Sequence, residues 1–276
     1  MFEILDNREL APGIKLMEVK APQIVAKIKP GQFVVLRIRE KGERIPLTVA
    51  SKHDDKGTLD IIYQEVGKTT EELGTLKSGD SLMDLVGPLG KPGHVKKYGT
   101  VVLIGGGVGI ATLFPYIKAF KEAGNKVISV LGARTKELLV LEDDIKKLSD
   151  ECHISTDDGS YGRKGFVTDV LKDLLKDKID LVLSIGPLPM MKAVNGVTKP
   201  EGILTWVSLN TIMLDGTGMC GSCRLTVDGK VKFACVDGPE FEADKVDFDE
   251  LMLRNNRFAR EEALSLNEYH KKCIDV

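Results

Sequence analysis

The hydrophobic pattern of this chain changes period once, and that change constrains the fold more than any other feature. Up to residue 95, short strand-like runs (Ile14–Val19, Gln32–Ile38, Leu59–Gln64, Ser81–Val86) are separated by turn signals such as Pro12-Gly13, Pro30-Gly31, Lys56-Gly57 and Gly87-Pro88. Evenly spaced short strands with Gly/Pro punctuation predict an antiparallel barrel or sandwich. From Thr100 onward, strand and helix alternate. Thr100–Ile104, Val127–Leu131, Cys152–Ser155 and Leu181–Ile185 read as strands; Ala111–Glu122, Lys136–Ser149 and Phe166–Leu175 read as helices. That alternation predicts a parallel sheet covered on both faces. After Trp206 the chain becomes irregular and carries cysteines. The resulting division is 1–95, 96–205, 206–245, and a C-terminal tail, 246–276, with a broken helical stripe.

A length of 276 residues is consistent with about two domains plus a small module. Lys+Arg number 39 against 41 Asp+Glu, a net charge of −2, so nothing pulls the chain toward nucleic acid or anionic lipid. No apolar run approaches the ~20 residues that span a bilayer. The N-terminus, Met1-Phe2-Glu3-Ile4-Leu5-Asp6, lacks the basic start of a signal peptide. The expected location is cytoplasmic, with no membrane partner.

Two loops point to a nucleotide. Gly105-Gly106-Gly107-Val108-Gly109-Ile110-Ala111-Thr112 lies between a predicted strand and a predicted helix. Amides at a helix start, with no Cβ in the way, can hold a pyrophosphate. The match to G-x-G-x-x-G is imperfect, because Ile110 stands where the last glycine would be. The competing reading is a turn that only packs strand on helix. Gly186-Pro187-Leu188-Pro189-Met190 follows the fourth strand, at the sheet end where ligands of open sheets lie.

Asp215-x4-Cys220-x2-Cys223-x11-Cys235 is the most chemically specific pattern. It reproduces the plant-type [2Fe–2S] spacing C-x4-C-x2-C…C with an aspartate in the first position. Gly216, Gly218 and Gly221 allow the loop to wrap with its amides toward sulfur. Structural zinc held by three cysteines and one aspartate is the rival. Cys152 and Cys273 receive no role.

Arg44-Ile45-Pro46-Leu47-Thr48, Ile62-Tyr63-Gln64 and Gly67-Lys68-Thr69-Thr70 end two hairpins of the first domain. Physics alone allows a phosphate cradle there, or simply polar hairpin tips. Taken together, R-x-P-L-T, G-G-G-V-G-x-A and G-P-x-P-M resemble the ferredoxin–NADP reductase superfamily. The cysteine segment narrows the resemblance to two related families of electron-transfer subunit. One belongs to dihydroorotate dehydrogenase B. The other is the small subunit of bifurcating NADH-dependent ferredoxin:NADP oxidoreductases. Asp215 in place of cysteine, and the tail beyond Phe248, favour the second.

The resemblance implies an FAD-binding barrel, an NAD(P)-binding α/β domain and a [2Fe–2S] module. It implies FAD contacts at Arg44, Pro46, Leu47 and Thr48 (Thr48 near flavin N5), at Ile62, Tyr63 and Gln64, and pyrophosphate contacts at Gly67, Thr69 and Thr70. Gly107, Val108, Gly109, Thr112, Gly186, Pro187 and Met190 would contact the nicotinamide dinucleotide. Asp215, Cys220, Cys223 and Cys235 would hold the cluster. No general acid or base is implied. The partner implied is a larger flavin and iron–sulfur subunit, with ferredoxin reached only through the complex. Asp157 and Asp158, after the third strand, would repel a 2′-phosphate and favour NAD(H) over NADP(H). Arg134, Arg163 and Lys164 lie near enough to oppose that effect. The tail's apolar positions (Phe248, Leu251, Met252, Phe258, Ala259, Leu266) predict a helix that docks on the partner or caps its own subunit.

Overall fold

The computed structural model describes residues 1–274, with side chains to residue 271; Cys273 lies outside the described side chains. The first seven strands are β1 (Phe2–Ala11), β2 (Ile14–Lys20), β3 (Phe33–Arg37), β4 (Ile45–His53), β5 (Thr58–Gln64), β6 (Ser81–Leu82) and β7 (Asp84–Leu89). They form one sheet in the order β6-β1-β2-β5-β4-β3-β7, every pair antiparallel. The sheet's first and last strands, β6 and β7, are separated only by Met83, so the sheet curls into a nearly closed barrel. Its core is apolar: Ile4, Met17, Leu36, Leu59 and Ile61 are fully buried. Short helices α1 (Pro22–Val25) and α2 (Lys68–Thr75) plug gaps between strands. The segment read as a Gly67–Thr70 turn opens α2, because the Thr70 hydroxyl accepts from the Gly67 amide and caps the helix start. β1 escapes period-2 reading because charged residues, exposed Glu3, Arg8 and Glu9 and half-buried Asp6, crowd it.

The second sheet is built from β8 (Thr100–Gly106), β9 (Lys126–Ala133), β10 (Glu151–Thr156), β11 (Arg163–Lys164), β12 (Leu181–Ile185) and β13 (Thr205–Ser208). All are parallel, in the order β11-β10-β9-β8-β12-β13. Helices α3 (Gly109–Glu122), α4 (Glu142–Leu148), α5 (Val167–Leu174) and α6 (Leu188–Thr198) cover it. The order reverses at β8/β12, and the crevice beyond the carboxyl ends of these two strands is the usual ligand position. The single helix expected over Lys136–Ser149 is instead a 3-10 turn, Lys136–Leu138, followed by α4. Leu141 stands between them with φ 55°, which no continuous helix accommodates.

The cysteine segment folds as a hairpin, β14 (Arg224–Val227) and β15 (Lys230–Phe233), then α7 (Ala234–Asp237) and β16 (Glu240–Glu242). β16 pairs antiparallel with β13, so the module extends the second sheet. The tail forms α8 (Phe248–Asn255) and α9 (Ala259–Ile274). Phe248 and Leu251 are buried in the module's own core, so α8 caps its own subunit rather than offering those residues to a partner. Asp247 caps α8, its carboxylate accepting from the Glu250 amide. α9 crosses to the barrel, where His270 and Glu71 of α2 pair at 2.6 Å.

Three units meet at one buried polar junction. Tyr116 of α3 places its hydroxyl where a Cβ on Gly31 would sit, and a Cβ on Gly93 would lie 2.7 Å from that hydroxyl and 2.8 Å from Glu240 Oε1. Neither oxygen has a hydrogen-bond partner among the described residues; the other Glu240 oxygen accepts from the His94 amide at 3.2 Å. Burial pushes the Glu240 carboxyl up to about 7. An acid raised in the folded state adds stability below its unfolded pKa and loses it as pH rises to the folded value. Glu240→Gln should therefore remove a decline of about 3 kcal/mol in unfolding free energy between pH 4.5 and 7. Parallel urea titrations of both proteins across that range check it; identical pH profiles would refute it.

Candidate functional site

A cleft of about 510 Å³ opens where the barrel, the parallel sheet and the cysteine module meet. One wall is β4 and β5 of the barrel, at Pro46, Leu47, Thr48, Ile62 and Gln64. A second is the Gly106–Gly109 loop with Thr112. A third is Ile185-Gly186-Pro187 at the end of β12. The carboxyl ends of β8 and β12 thus deliver the two glycine loops to the place that sheet topology assigns a ligand. Gly109 is required there by packing: a Cβ on it would lie 2.5 Å from the Ile185 carbonyl oxygen. Gly107 has φ +56° and open space where a side chain would be; its own amide donates to the Gly132 carbonyl at 2.9 Å, so the donors the loop leaves for a ligand are those of Val108 and Gly109.

Most of the expected cofactor residues come together in this cleft, and seven need restating. Tyr63 borders it, but its phenol is buried in the barrel and donates to Asn7 Oδ1 at 3.0 Å. Strand alternation sends Ile62 out of the barrel and Tyr63 in, so Tyr63 offers only main chain to the cleft. The Thr69 hydroxyl is turned to Glu43, and that of Thr70 caps α2, so neither is free. What α2 does present are its first amides, at Lys68 and Thr69, which have no acceptor within the helix. Gly67 leaves open space beside them. Met190 packs beneath Gly106 and Gly186 rather than in the cleft. Arg44 borders a separate cleft of about 220 Å³ with Arg37, Asp84, Asp215 and Thr217. Asp157 and Asp158 lie beyond the end of β10, exposed. The amide and hydroxyl of Ser160 bond the Asp158 carboxylate and hold its pKa below the usual range. Of the opposing cations, Arg163 is engaged by Asp173.

The sequence reading missed a fourth side of the cleft, Ser208–Thr211 and Met213, at and after the end of β13. Thr211 Oγ1 is buried without a hydrogen-bond partner among the described residues. Thr211 also borders a pocket shared with Cys220, so this segment is the partition between the cleft and the cysteine loop. Nothing in its local pattern separates it from a plain loop. An orphaned buried hydroxyl, free helix amides and an unobstructed glycine loop fit an extended ligand with hydrogen-bonding ring edges and a pyrophosphate.

The four sequence-predicted ligands lie close together in two pairs. Cys223 and Cys235 are buried, with sulfurs 3.2 Å apart. Asp215 accepts from the amides of Thr217 (2.9 Å) and Cys220 (3.0 Å), which hold its carboxyl below the usual range. The Cys220 thiol is exposed and lowered by the Ser222 hydroxyl and amide; the Cys235 thiol is raised by burial and by Cys223. Gly218 and Gly221 adopt φ +88° and +69°, a curl closed to ordinary side chains. No three of these donor atoms lie within 4.8 Å of one another among the described residues. A single tetrahedral ion draws all four donors together, whereas two irons take them in pairs.

Gly109→Ala should force the β12 loop away and weaken NADH binding at least tenfold, about 1.4 kcal/mol. Fluorescence titration with NADH checks this; unaltered affinity would show that the close approach is not needed.

Three family models cover the chain in turn. They are an oxidoreductase FAD-binding domain at residues 2–94, an oxidoreductase NAD-binding domain at 103–196, and the iron–sulfur cluster binding domain of dihydroorotate dehydrogenase B at 210–247. The chain is 48% identical over 270 residues to a dihydroorotate dehydrogenase B (NAD+) electron transfer subunit homolog of Thermotoga maritima, covering 98% of this chain and 95% of the relative. The electron transfer subunit of Fusobacterium nucleatum is 34% identical over 255 residues, covering 88% and 96%. A chain from the structure of the NADH-dependent reduced ferredoxin–NADP oxidoreductase, solved to give insight into flavin-based electron bifurcation, superposes with TM-score 0.93 at 47% identity, covering 98% of both chains. No described helix is long and apolar enough to cross a membrane. The chain belongs to the family of dihydroorotate dehydrogenase B-type electron-transfer subunits, oxidoreductases that combine FAD-binding, NAD-binding and iron–sulfur domains.

Proposed function

We propose that this chain passes electrons between NAD(H), FAD and a [2Fe–2S] cluster as the small subunit of a bifurcating NADH-dependent ferredoxin:NADP oxidoreductase. Its partner is a larger flavin and iron–sulfur subunit, through which ferredoxin and NADP are served. The observation that carries this reading is Asp215, a carboxylate oriented by two loop amides at the first position of a cysteine-type ligand set. The full-length likeness to the bifurcating enzyme's chain supports it. The names of the curated relatives favour a second reading, the electron-transfer subunit of a dihydroorotate dehydrogenase. The two are separated by identifying the large subunit that co-purifies from the native host.

When bound, FAD supplies the exchange between two-electron nicotinamide chemistry and the one-electron cluster. The chain's own work is placement. Pro46, Leu47 and Thr48 wall the ring side, and Ile62 and Gln64 lie alongside. The first amides of α2 and those of Val108 and Gly109 offer donors to the pyrophosphates, with Gly107 giving close approach, and Gly186 and Pro187 bound the nicotinamide side. Thr211 offers a buried hydroxyl on the wall nearest the cluster loop. Asp215, Cys220, Cys223 and Cys235 would hold the cluster, the first two from the exposed loop and the last two from the buried side. Units 1–95, 96–205, 206–245 and 246–276 serve in this reading as FAD barrel, nucleotide domain, cluster module and tail.

Two outcomes test the assignments. Asp215→Ala should lose iron and the [2Fe–2S] EPR signal, whereas Asp215→Cys should retain both with a shifted potential. Full iron content in the alanine variant would remove Asp215 from the ligand set. Carboxylates at Asp157 and Asp158 should make NADH at least tenfold better than NADPH in kcat/KM for dye reduction. Asp158→Ser should narrow the ratio; a wild-type preference for NADPH would overturn the assignment.

A further inference from the structure

The linker between the barrel and the parallel sheet, residues 90–98, is fastened to the cysteine module at one carboxyl. Glu240 opens β16 opposite Ser208 of β13, so its side chain shares a sheet face with Ser208 and Trp206. That face is turned to α3, where Tyr116 and Trp206 pack in the same apolar cluster. Three polar atoms there are buried without a hydrogen-bond partner among the described residues: Glu240 Oε1, Tyr116 Oη and Trp206 Nε1. Glu240 is 6% exposed and Tyr116 fully buried. Gly31 and Gly93 let both oxygens in; a Cβ on Gly31 would fall on the phenol oxygen and 3.0 Å from Oε1. The linker closes over this group from outside. The His94 amide donates to Glu240 Oε2 at 3.2 Å, and the His94 ring stacks on Trp206 with centroids 3.9 Å apart. On the other side lies the cleft. Pro239, Ser208 and Leu209 line its wall, and the Leu209 amide donates to the Pro239 carbonyl at 3.0 Å.

We propose that Glu240 is a proton-linked positioning residue: neutral, its carboxyl clamps the linker to β16 over Tyr116; ionised, it loosens that clamp, so the seating of the cysteine module against the cleft follows pH. A carboxylate has about four acceptor sites to fill. This one is offered the His94 amide and, once the hydroxyl turns, the Tyr116 phenol. The rest of the demand is met by admitting water, which the closed junction excludes. Burial accordingly pushes the carboxyl up to about 7. On ionisation the proton leaves to solvent as the linker lifts. The other titratable groups around the junction keep their state through this change. Burial, then Lys91 and Lys96, pushes His94 below the ordinary histidine range, so its ring is neutral there. Burial and Glu240 raise the Tyr98 phenol, which donates to the His94 carbonyl at 3.1 Å. Lys91 and Lys96 are exposed linker cations, and Lys96 lies 5.0 Å from the Tyr98 ring centroid. Glu242, next on the same face of β16, is engaged by Lys245.

Trp206 is the chain's one tryptophan, so its emission reports this junction alone. In the full-length protein as purified, that emission should change in one step with a midpoint near 7. Acrylamide should quench it about twofold or more readily above the midpoint than below. Glu240→Gln keeps an acceptor for the His94 amide but cannot ionise, and should show neither change. Tyr116→Phe removes the phenol that can donate to Oε1, and should move the midpoint to higher pH. His94→Gln removes the imidazole and keeps the backbone amide, so the step should stay near 7. Amide hydrogen exchange reads the seating itself. Above the midpoint, peptides covering 90–98 and 205–213 should exchange faster in wild type than in Glu240→Gln at the same pH, and at equal rates below it. A step that survives Glu240→Gln, or one lost with His94, overturns the proposal, because ring titration would then be its source. A midpoint unmoved by Tyr116→Phe overturns it too. So does an emission step with equal exchange in the two proteins at every pH, since Glu240 would then titrate without moving the linker. A protein that shows the step and the exchange difference but no reduction of its cluster by NADH overturns the electron-transfer reading alone.

Discussion

The short antiparallel pairing of β16 with β13 is the contact on which the arrangement depends. Three residues, Glu240–Glu242, register against Trp206–Ser208 and turn the cysteine module into a further strand of the nucleotide sheet. Side-chain packing against Phe33 and Val35 of β3 and Leu188 and Met191 of α6 holds the module as well, but only this pairing fixes its register to the sheet. With it, Ser208–Thr211 is pinned at both ends and becomes the partition shared by the cleft and the Cys220 pocket. Electron transfer between two centres needs a short, fixed separation, and a sheet is the stiffest way to fix one. Glu240 sits at the end of the same strand, so the buried junction with Tyr116, Gly31 and Gly93 reinforces the alignment of all three units.

Much of this was legible in the residues because the local rules and the global fold agree. Continuous apolar runs gave the parallel strands, since a strand covered on both faces needs no polar alternation. Gly105–Gly109 marked the β8–α3 turn for the same reason that it is needed: Gly109 passes against the Ile185 carbonyl. The Asp215-to-Cys235 spacing survived folding as two close donor pairs. These features are encoded within a few residues of one another.

What the residues concealed is non-local. Tyr63 belongs to a motif whose neighbours face the cleft, but strand alternation sends its ring into the barrel toward Asn7, 56 residues away. Arg44 stands beside Pro46 in sequence yet borders Asp215 in space, because the cysteine loop closes over that edge of the barrel. Thr69 and Thr70 look like phosphate ligands until the helix start claims the Thr70 hydroxyl and Glu43 the other. Thr211 carries no signal at all. Its meaning lies only in being buried without a partner on a wall made by three separate units.

The asymmetry of the cysteine site gives it a direction. Cys223 and Cys235 are 2% exposed and embedded in the module's core, whereas Cys220 is open to solvent and Asp215 is held by loop amides at the surface. The buried pair fixes position: these side chains are packed among Leu225, Phe241 and Leu251 and cannot shift without disturbing them. The exposed pair sits on a glycine curl at the surface, tied by the Thr217 and Cys220 amides to Asp215 rather than packed into the core. Electron exchange between proteins favours that division. In the proposed reading the half facing a partner would be accessible and adaptable, while the half facing inward would hold its distance from the cleft. With Asp215 in the proposed ligand set, an oxygen donor on the accessible side would add a chemical difference to the positional one. Carboxylate oxygen is a harder donor than thiolate and favours the ferric state of the iron that it binds. A cluster held in the proposed way would have two inequivalent irons, with the inequivalence along the line from the buried core to the surface.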